Sequence, residues 1–330
     1  MSAAGQTTAI SRALTRREVY SDIILDELKD DFLPEGMTRD MTEFTDGSTL
    51  FVATMGEVVL KELGEGIETP VTKIDSGEIT LRITEHEGTA IAITDEVRED
   101  AMKMRQLDAM APTKMLRAIK ESYETKMLNT GEVGQVQGDA NAINGYAHRF
   151  VAPGAGNRLD AATFAYVKLS MQKALTPDSG IIGIIDPIDE YYLNLNTNIT
   201  AFSDNPQVRG IVETGFAKNY RFVRNFYGID LYVANRLPRI TSETINAAAD
   251  GGIAPEGQTS PGSVTNGHAC VFMNVTDDDL MPFMHAWRRT PDVEYDRNVS
   301  LRQDEYHLSA RYGFGIQRPQ SLVTVLAAGQ

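Results

Sequence analysis

The spacing of apolar positions changes period several times along the chain, and each change marks an element. Val19, Ile23 and Leu28 recur at helical spacing among charged neighbours, with Phe32 four residues beyond Leu28. This predicts a helix that Pro34 and Gly36 end. The small polar residues before about position 16 carry no apolar period and read as a mobile arm. Near Leu50 the period falls to two. Leu50-Phe51-Val52-Ala53-Thr54-Met55, Val58-Val59-Leu60, Ile79-Thr80-Leu81-Arg82-Ile83-Thr84 and Ala90-Ile91-Ala92-Ile93 all read as extended. Alternation of this kind buries one face and wets the other, as in antiparallel pairs. The segment between the arms, Gly64 to Gly77, holds Gly64, Gly66, Thr69, Pro70 and Lys73 and is long for a hairpin tip. A two-stranded ribbon of this length is marginal alone. Its open edges ask for a partner, and a second subunit is the natural one.

Helical periodicity then returns. Thr94 or Asp95 can cap a helix whose early turns hold Glu96, Glu99 and Asp100. Pro112 is expected to interrupt it. Met115, Ile119, Tyr123 and Met127 follow at steps of four, an apolar stripe about 18 Å long at ~1.5 Å per residue. A stripe like this packs a core, and it ends near Asn129-Thr130-Gly131. Residues 131–158, rich in Gly, Asn and Ala, read as a loop or a crossing between lobes. Asp160 caps a helix with Phe164, Val167, Met171 and Leu175 on one side, closed by Thr176 to Gly180. Ile181-Ile182-Gly183-Ile184-Ile185 is apolar throughout, as a strand buried on both faces would be. Asp186-Pro187 opens a short helix with Tyr191, Tyr192 and Leu195, and Ile229 to Ala234 is a further strand. This order marks 159–240 as an α/β lobe. Residues 250–266 read as a surface loop, His268 to Asn274 as a strand, and the remainder as strands broken at Pro282, Pro291 and Pro319.

Charge narrows the possible roles. The net charge of −15 is a poor match for phosphate, which argues against nucleic-acid binding. Glu18 to Asp46 holds ten acidic residues against two basic ones, a solvated face or a switchable contact for a basic assembly factor. The single Cys270 allows no internal disulfide and reads as a small buried hydrophobe in Ala269-Cys270-Val271. The N-terminus has no basic-then-apolar signal pattern, and no run approaches the ~18 apolar residues of a membrane span. A soluble protein of a reducing cytoplasm is expected.

Candidate chemistry is thin. Glu85 and Glu87 in a strand face one way and His86 the other, so the three do not converge on a metal. Asp277-Asp278-Asp279 lacks the spacing of a calcium loop, and Gly154-Ala155-Gly156 is too short for a phosphate cradle. His86, His148, His268, His285 and His307 form no i, i+4 pair. No nucleophile elbow, phosphate loop or paired-cysteine spacing occurs. Paired carboxylates remain open, since 46 acidic residues offer many pairs. The sequons at Asn198, Asn274 and Asn298 carry little meaning in a cytoplasmic chain. The reading is no catalytic residue, no cofactor and no metal: a subunit of a large shell or assembly.

Three stretches sharpen that class: the ribbon Thr49 to Ile93 running into the helix at Thr94-Asp95-Glu96, the segment Phe226 to Pro238, and Tyr312-Gly313-Phe314-Gly315-Ile316-Gln317-Arg318-Pro319 leading to a terminal apolar run. Their order resembles the major capsid proteins of tailed bacteriophages, built on the Hong Kong 97 coat-protein fold. The resemblance implies an α+β chain divided into an N-terminal arm (1–48), an extended β-ribbon loop (49–93), a peripheral domain with a spine helix (94–158), a mainly axial domain (159–267) and return strands with the C-terminus (268–330). It implies an icosahedral shell of hexamers and pentamers around double-stranded DNA, enclosed without specific binding, and no enzyme. The virion capsid, assembled in the host bacterial cytoplasm without membrane contact, is the implied location. About 45 residues precede the ribbon, so a separate scaffolding protein is expected beside a portal and possible cement or decoration proteins. Lys61 and Lys73 read as edge-blunting charges, not crosslinking groups. Two alternatives stand: an encapsulin-type bacterial compartment of the same fold, and an enzyme with an unrecognised site.

Overall fold

The computed structural model describes residues 32–34, 36–42, 47–55, 76–100, 104–195, 222–258 and 261–329. The predicted helix through Val19, Ile23 and Leu28, the strand Val58 to Leu60 and the ribbon tip lie outside the described residues.

Strand β1 (Arg39–Asp40) comes first, then β2 (Thr49–Met55) and β3 (Ser76–Arg82), which pair antiparallel from Thr49↔Arg82 to Met55↔Ser76. β4 (Glu85–Thr94) does not prolong this ribbon. It joins a four-stranded sheet ordered β1-β13-β14-β4, built on β13 (Phe283–Asn298) and β14 (Gln303–Ile316). The paired ribbon therefore ends at Arg82, short of the expected Ile93. Its base is anchored because Leu81, with Leu50 and Ile79 beside it, packs on Met284 and Ala286. Gly313 permits this crossing: a methyl there would drive into the Arg82 carbonyl and come within 2.8 Å of Ile83 Cα.

Helices α1 (Asp95–Asp100) and α2 (Met104–Val133) follow. Pro112 lies inside α2 instead of interrupting it. The missing N–H removes one helical bond. Burial of Met115 and Ile119 against Leu308, Ala310 and Tyr312 of β14 holds the helix beyond it. Met127 is buried as expected and Tyr123 half-buried.

The region expected to be a loop over 131–158 instead contains β5 (Ala142–Ile143), β6 (Tyr146–Ala147) and β7 (Arg149–Val151). β7 is the edge of a second, seven-stranded sheet. Its order is β7-β15-β12-β8-β10-β9, with β11 paired to β12. The members are β8 (Ile181–Ile185), β9 (Phe222–Phe226), β10 (Ile229–Val233), β11 (Arg239–Ile245), β12 (Gly262–Asn274) and β15 (Leu322–Ala328). β8 is buried at every residue between parallel β10 and antiparallel β12. Gly183 at its centre leaves room for Phe272 and Leu231, which an added Cβ would meet at 2.6 and 2.8 Å.

Helix α3 (Ala161–Lys173) opens on a capping box in which Asp160 accepts from the Thr163 N–H at 3.0 Å. Phe164, Val167 and Met171 are fully buried, whereas Leu175 lies past the helix at φ +63°, 81% exposed. Helix α4 (Pro187–Leu195) forms as predicted. β12 already begins at Gly262, inside the stretch expected to be loop. Pro291 does not break β13, because the ladder to β14 shifts register on both sides of Arg289 and takes up the missing donor. Pro319 does separate strands, in a short 3-10 turn (Pro319–Ser321) before β15.

Candidate functional site

Among the described residues the buried polar side chains gather at joints between elements. The first joint fastens the spine helix α2 to β4. Glu85 and Glu87 project to the same side of β4, as strand geometry requires, and His86 is exposed on the other. Lys126 of α2 donates to Glu85 and lies 3.4 Å from Glu87. Ser122 and Tyr312 donate to Glu87 at 2.5 and 2.8 Å. Burial opposes charge on Glu87, but these hydrogen bonds and Lys126 hold its carboxyl below the ordinary range. Glu85 and Glu87 thus clamp the helix, with His86 turned away from them.

An aromatic cluster lies further along α2. Tyr123 stacks on Trp287 with centroids 4.9 Å apart and meets Phe314 at 4.8 Å. Burial pushes the Tyr123 hydroxyl up to about 12. His285 hydrogen-bonds Thr38 at 2.9 Å, and burial lowers its basicity.

The joint between α2 and the seven-stranded sheet is ionic. Arg149 on β7, fully buried, donates to Glu132 of α2 at 2.5 Å and reaches Glu243 of β11 at 2.6 Å. It also donates to the Val136 carbonyl at 2.9 Å. Burial raises the Glu132 carboxyl above its usual range, although Arg149 pulls it down. Composition gave no sign of this residue; only the apolar Phe150-Val151 beside it hints at depth.

A fourth group sits under α4. His268 and Cys270, two residues apart on β12, share a face with Asp189, whose Oδ2 is 2.6 Å from His268 Nε2 and 3.1 Å from Cys270 Sγ. All three are buried. Burial and the Asp189 charge push the Cys270 thiol well up. Cys270 is buried as expected, but hydrogen-bonded, so it is more than an apolar filler.

Exposed apolar side chains mark outward contacts. Phe51 stands 62% exposed on β2, whose described pairing is to β3 alone. Val299 and Leu301 project from the β13–β14 turn. That turn is braced at its base by Arg297, which donates to both oxygens of Asp95 at 2.7 Å and to Asp304 at 2.8 Å. Gly64, Gly66, Thr69, Pro70 and Lys73, the residues singled out for assembly, lie outside the described residues, as does Lys61. Asp279 of the acidic triplet pairs with Arg39 at 2.6 Å, in keeping with a strand-end turn. Among the described residues no helix is long and apolar enough to cross a membrane.

The sequence profile of a family described as phage capsid protein matches residues 77–325. No curated protein matches the chain. Among solved structures, the chain is similar to the capsid of the cyanophage P-SCSP1u, at 14% identity over 97% of this chain and 94% of that one, with a TM-score of 0.67. It is similar to Mycobacterium phage Che8 at 15% identity, covering 94% and 97%, with a TM-score of 0.62. The capsid of Ralstonia phage GP4 gives 10% identity, 96% coverage of each chain and a TM-score of 0.63. At such identities the likeness speaks to the fold.

Proposed function

From the premise that the chain belongs to the phage capsid protein family, as a major capsid protein of an icosahedral shell with the Hong Kong 97-like fold, we propose that its copies close that shell through the β2–β3 ribbon. The observation that carries this reading is a two-stranded ribbon whose described strands pair only with each other and whose outer face exposes Phe51. Laid across a neighbouring copy, the ribbon gains hydrogen-bond partners for its edges and buries that face. Hexamers and pentamers are the closed units such repeated contacts form, with residues 49–82 and the tip at Gly64, Gly66, Thr69, Pro70 and Lys73 reaching the neighbour. In this reading residues 1–48 act as an arm that enters the four-stranded sheet through β1, that sheet with α2 is the peripheral domain, and the seven-stranded sheet is the axial domain.

The role is structural, and no catalytic step is assigned to it. The net charge of −15 supports enclosure of double-stranded DNA without specific binding, because like charge keeps the polymer off the wall. A separate scaffolding protein and a portal complete the assembly in the host cytoplasm, and a decoration protein is a further candidate partner.

Electron microscopy of the expressed chain, with and without a candidate scaffold, tests this reading. Closed shells are expected. Deleting Gly64 to Gly77 should leave a folded subunit that does not assemble, and normal shells from that variant would remove the ribbon's role.

A further inference from the structure

The four joints differ in one respect. Three are charge pairs or ring stacks with evident structural partners, while the group under α4 brings together one sulfur, one imidazole nitrogen and one carboxylate oxygen. We propose that Asp189, His268 and Cys270 form a binding site for a single divalent cation of the zinc class.

The ligating atoms all lie within 4.8 Å of one another. They come from rigid elements: His268 and Cys270 from the same face of central strand β12, and Asp189 from the first turn of α4. Sulfur, nitrogen and oxygen donors in a small buried space suit a borderline-soft ion, not calcium or magnesium, which take oxygen alone.

Metal binding would replace protons the triad now holds. At 2.6 Å the His268–Asp189 contact contains a proton, and the Cys270 thiol carries a second toward the same carboxylate. A divalent cation displaces the thiol proton to solvent, while the proton on His268 Nε2 passes to Nδ1 as the ring turns ligand: one proton out, one M²⁺ in, and the site gains one positive charge. Thiolate, neutral imidazole and carboxylate then bind the ion. Bond lengths of about 2.0–2.3 Å place tetrahedral ligand atoms roughly 3.3–3.7 Å apart. Asp189 and His268 must therefore separate by a fraction of an ångström, within side-chain adjustment. Asp186, buried at the start of the same turn and 3.1 Å from Arg239, is a further carboxylate that could supply a fourth position.

The hydrogen-bonded arrangement is itself incomplete. His268 Nδ1 is buried without a hydrogen-bond partner. An orphan nitrogen in an apolar core costs free energy that the two contacts to Asp189 do not recover.

The test uses the full chain, unassembled. It is unfolded in chelator and refolded with cobalt(II), whose bonds to thiolate give a charge-transfer band. About one cobalt per chain is expected, competed off by zinc, with the band absent in Cys270→Ser. Asp189→Asn and His268→Gln should each weaken metal retention by at least about tenfold, since even outer-shell changes cost that much. Elemental analysis of protein from zinc-supplemented cells should agree. No thiolate band in refolded wild type, or retention that the three substitutions leave unchanged, overturns the proposal and makes the group a hydrogen-bonded triad only. Should the variants fail to fold, the wild-type spectrum alone decides.

Discussion

Replacing Arg149 with alanine would strip the positive charge from the joint between α2 and the seven-stranded sheet and leave two carboxylates behind. Arg149 is fully buried, and its partners Glu132 and Glu243 are nearly so. Its guanidinium lies 2.5 Å from Glu132 and 2.6 Å from Glu243, against a carbonyl bond of 2.9 Å at Val136. A surface pair contributes about 0–1 kcal/mol, but removing one member of a buried pair costs about 3–5 kcal/mol because the remaining charge is stranded. Against a domain stability of about 5–15 kcal/mol, Arg149→Ala should cost the larger figure. Urea unfolding of the unassembled chain, followed through the fluorescence of Trp287, the single tryptophan, measures it. Replacing all three groups with apolar residues of similar volume should recover most of the loss.

The pH dependence has a definite sign. The folded Glu132 carboxyl titrates above its ordinary 4.5, so its own contribution favours the folded state below 4.5 and is lost as pH rises through the folded value. Without Arg149 that value rises further. The penalty of Arg149→Ala should therefore shrink as pH falls from neutrality past 4.5. A penalty below about 1 kcal/mol at neutral pH, or one that grows in acid, would refute the ionic joint.

Other consequences are as direct. Gly313→Ala pushes a methyl into the backbone at Arg82 and Ile83, so the ribbon base should detach at a cost of about 1–3 kcal/mol, read by urea unfolding and by failed assembly. Phe51→Asp should leave the unassembled chain within about 0.5 kcal/mol of wild type yet abolish shells in electron micrographs. Burial holds Tyr123 and Tyr166 near 12 against an ordinary 10.0, so both favour folding below pH 10 and that contribution is lost between 10 and about 12. Ultraviolet titration should show them ionising after the exposed tyrosines, and simultaneous ionisation would contradict their packing.

Periodic elements were readable because their signal is local. The stripe Met115-Ile119-Tyr123-Met127, the Asp160 cap and the apolar run Ile181 to Ile185 all form where periodicity puts them. Failures occur where distant chain decides. Pro112 and Pro291 break elements in isolation, but packing on β14 and a shifted ladder carry the chain through. β4 alternates like the ribbon, and nothing local says that its partner is β14. Arg149, the clamp on Lys126 and the Asp189 cluster were illegible for the same reason: each joins segments far apart in sequence, and spacing carries no information about them. The ribbon tip was identified from turn formers alone and remains a proposal.

The pairing of remote segments has a kinetic side. Thr94 lies opposite Gln303, and Arg149 opposite Thr324, so both sheets close only after separations on the order of 200 residues are bridged. Loop-closure cost grows only logarithmically with length, so the penalty falls on rate more than on final stability. Synthesis at about 5–20 residues per second delivers α2, β8 and the ribbon arms well before β14 and β15 arrive to cover them. During that interval the nascent chain exposes strands such as β4, whose partner β14 has not yet been made. Folding of each copy thus races against premature association with its siblings, and the yield of shells should fall as expression rate rises.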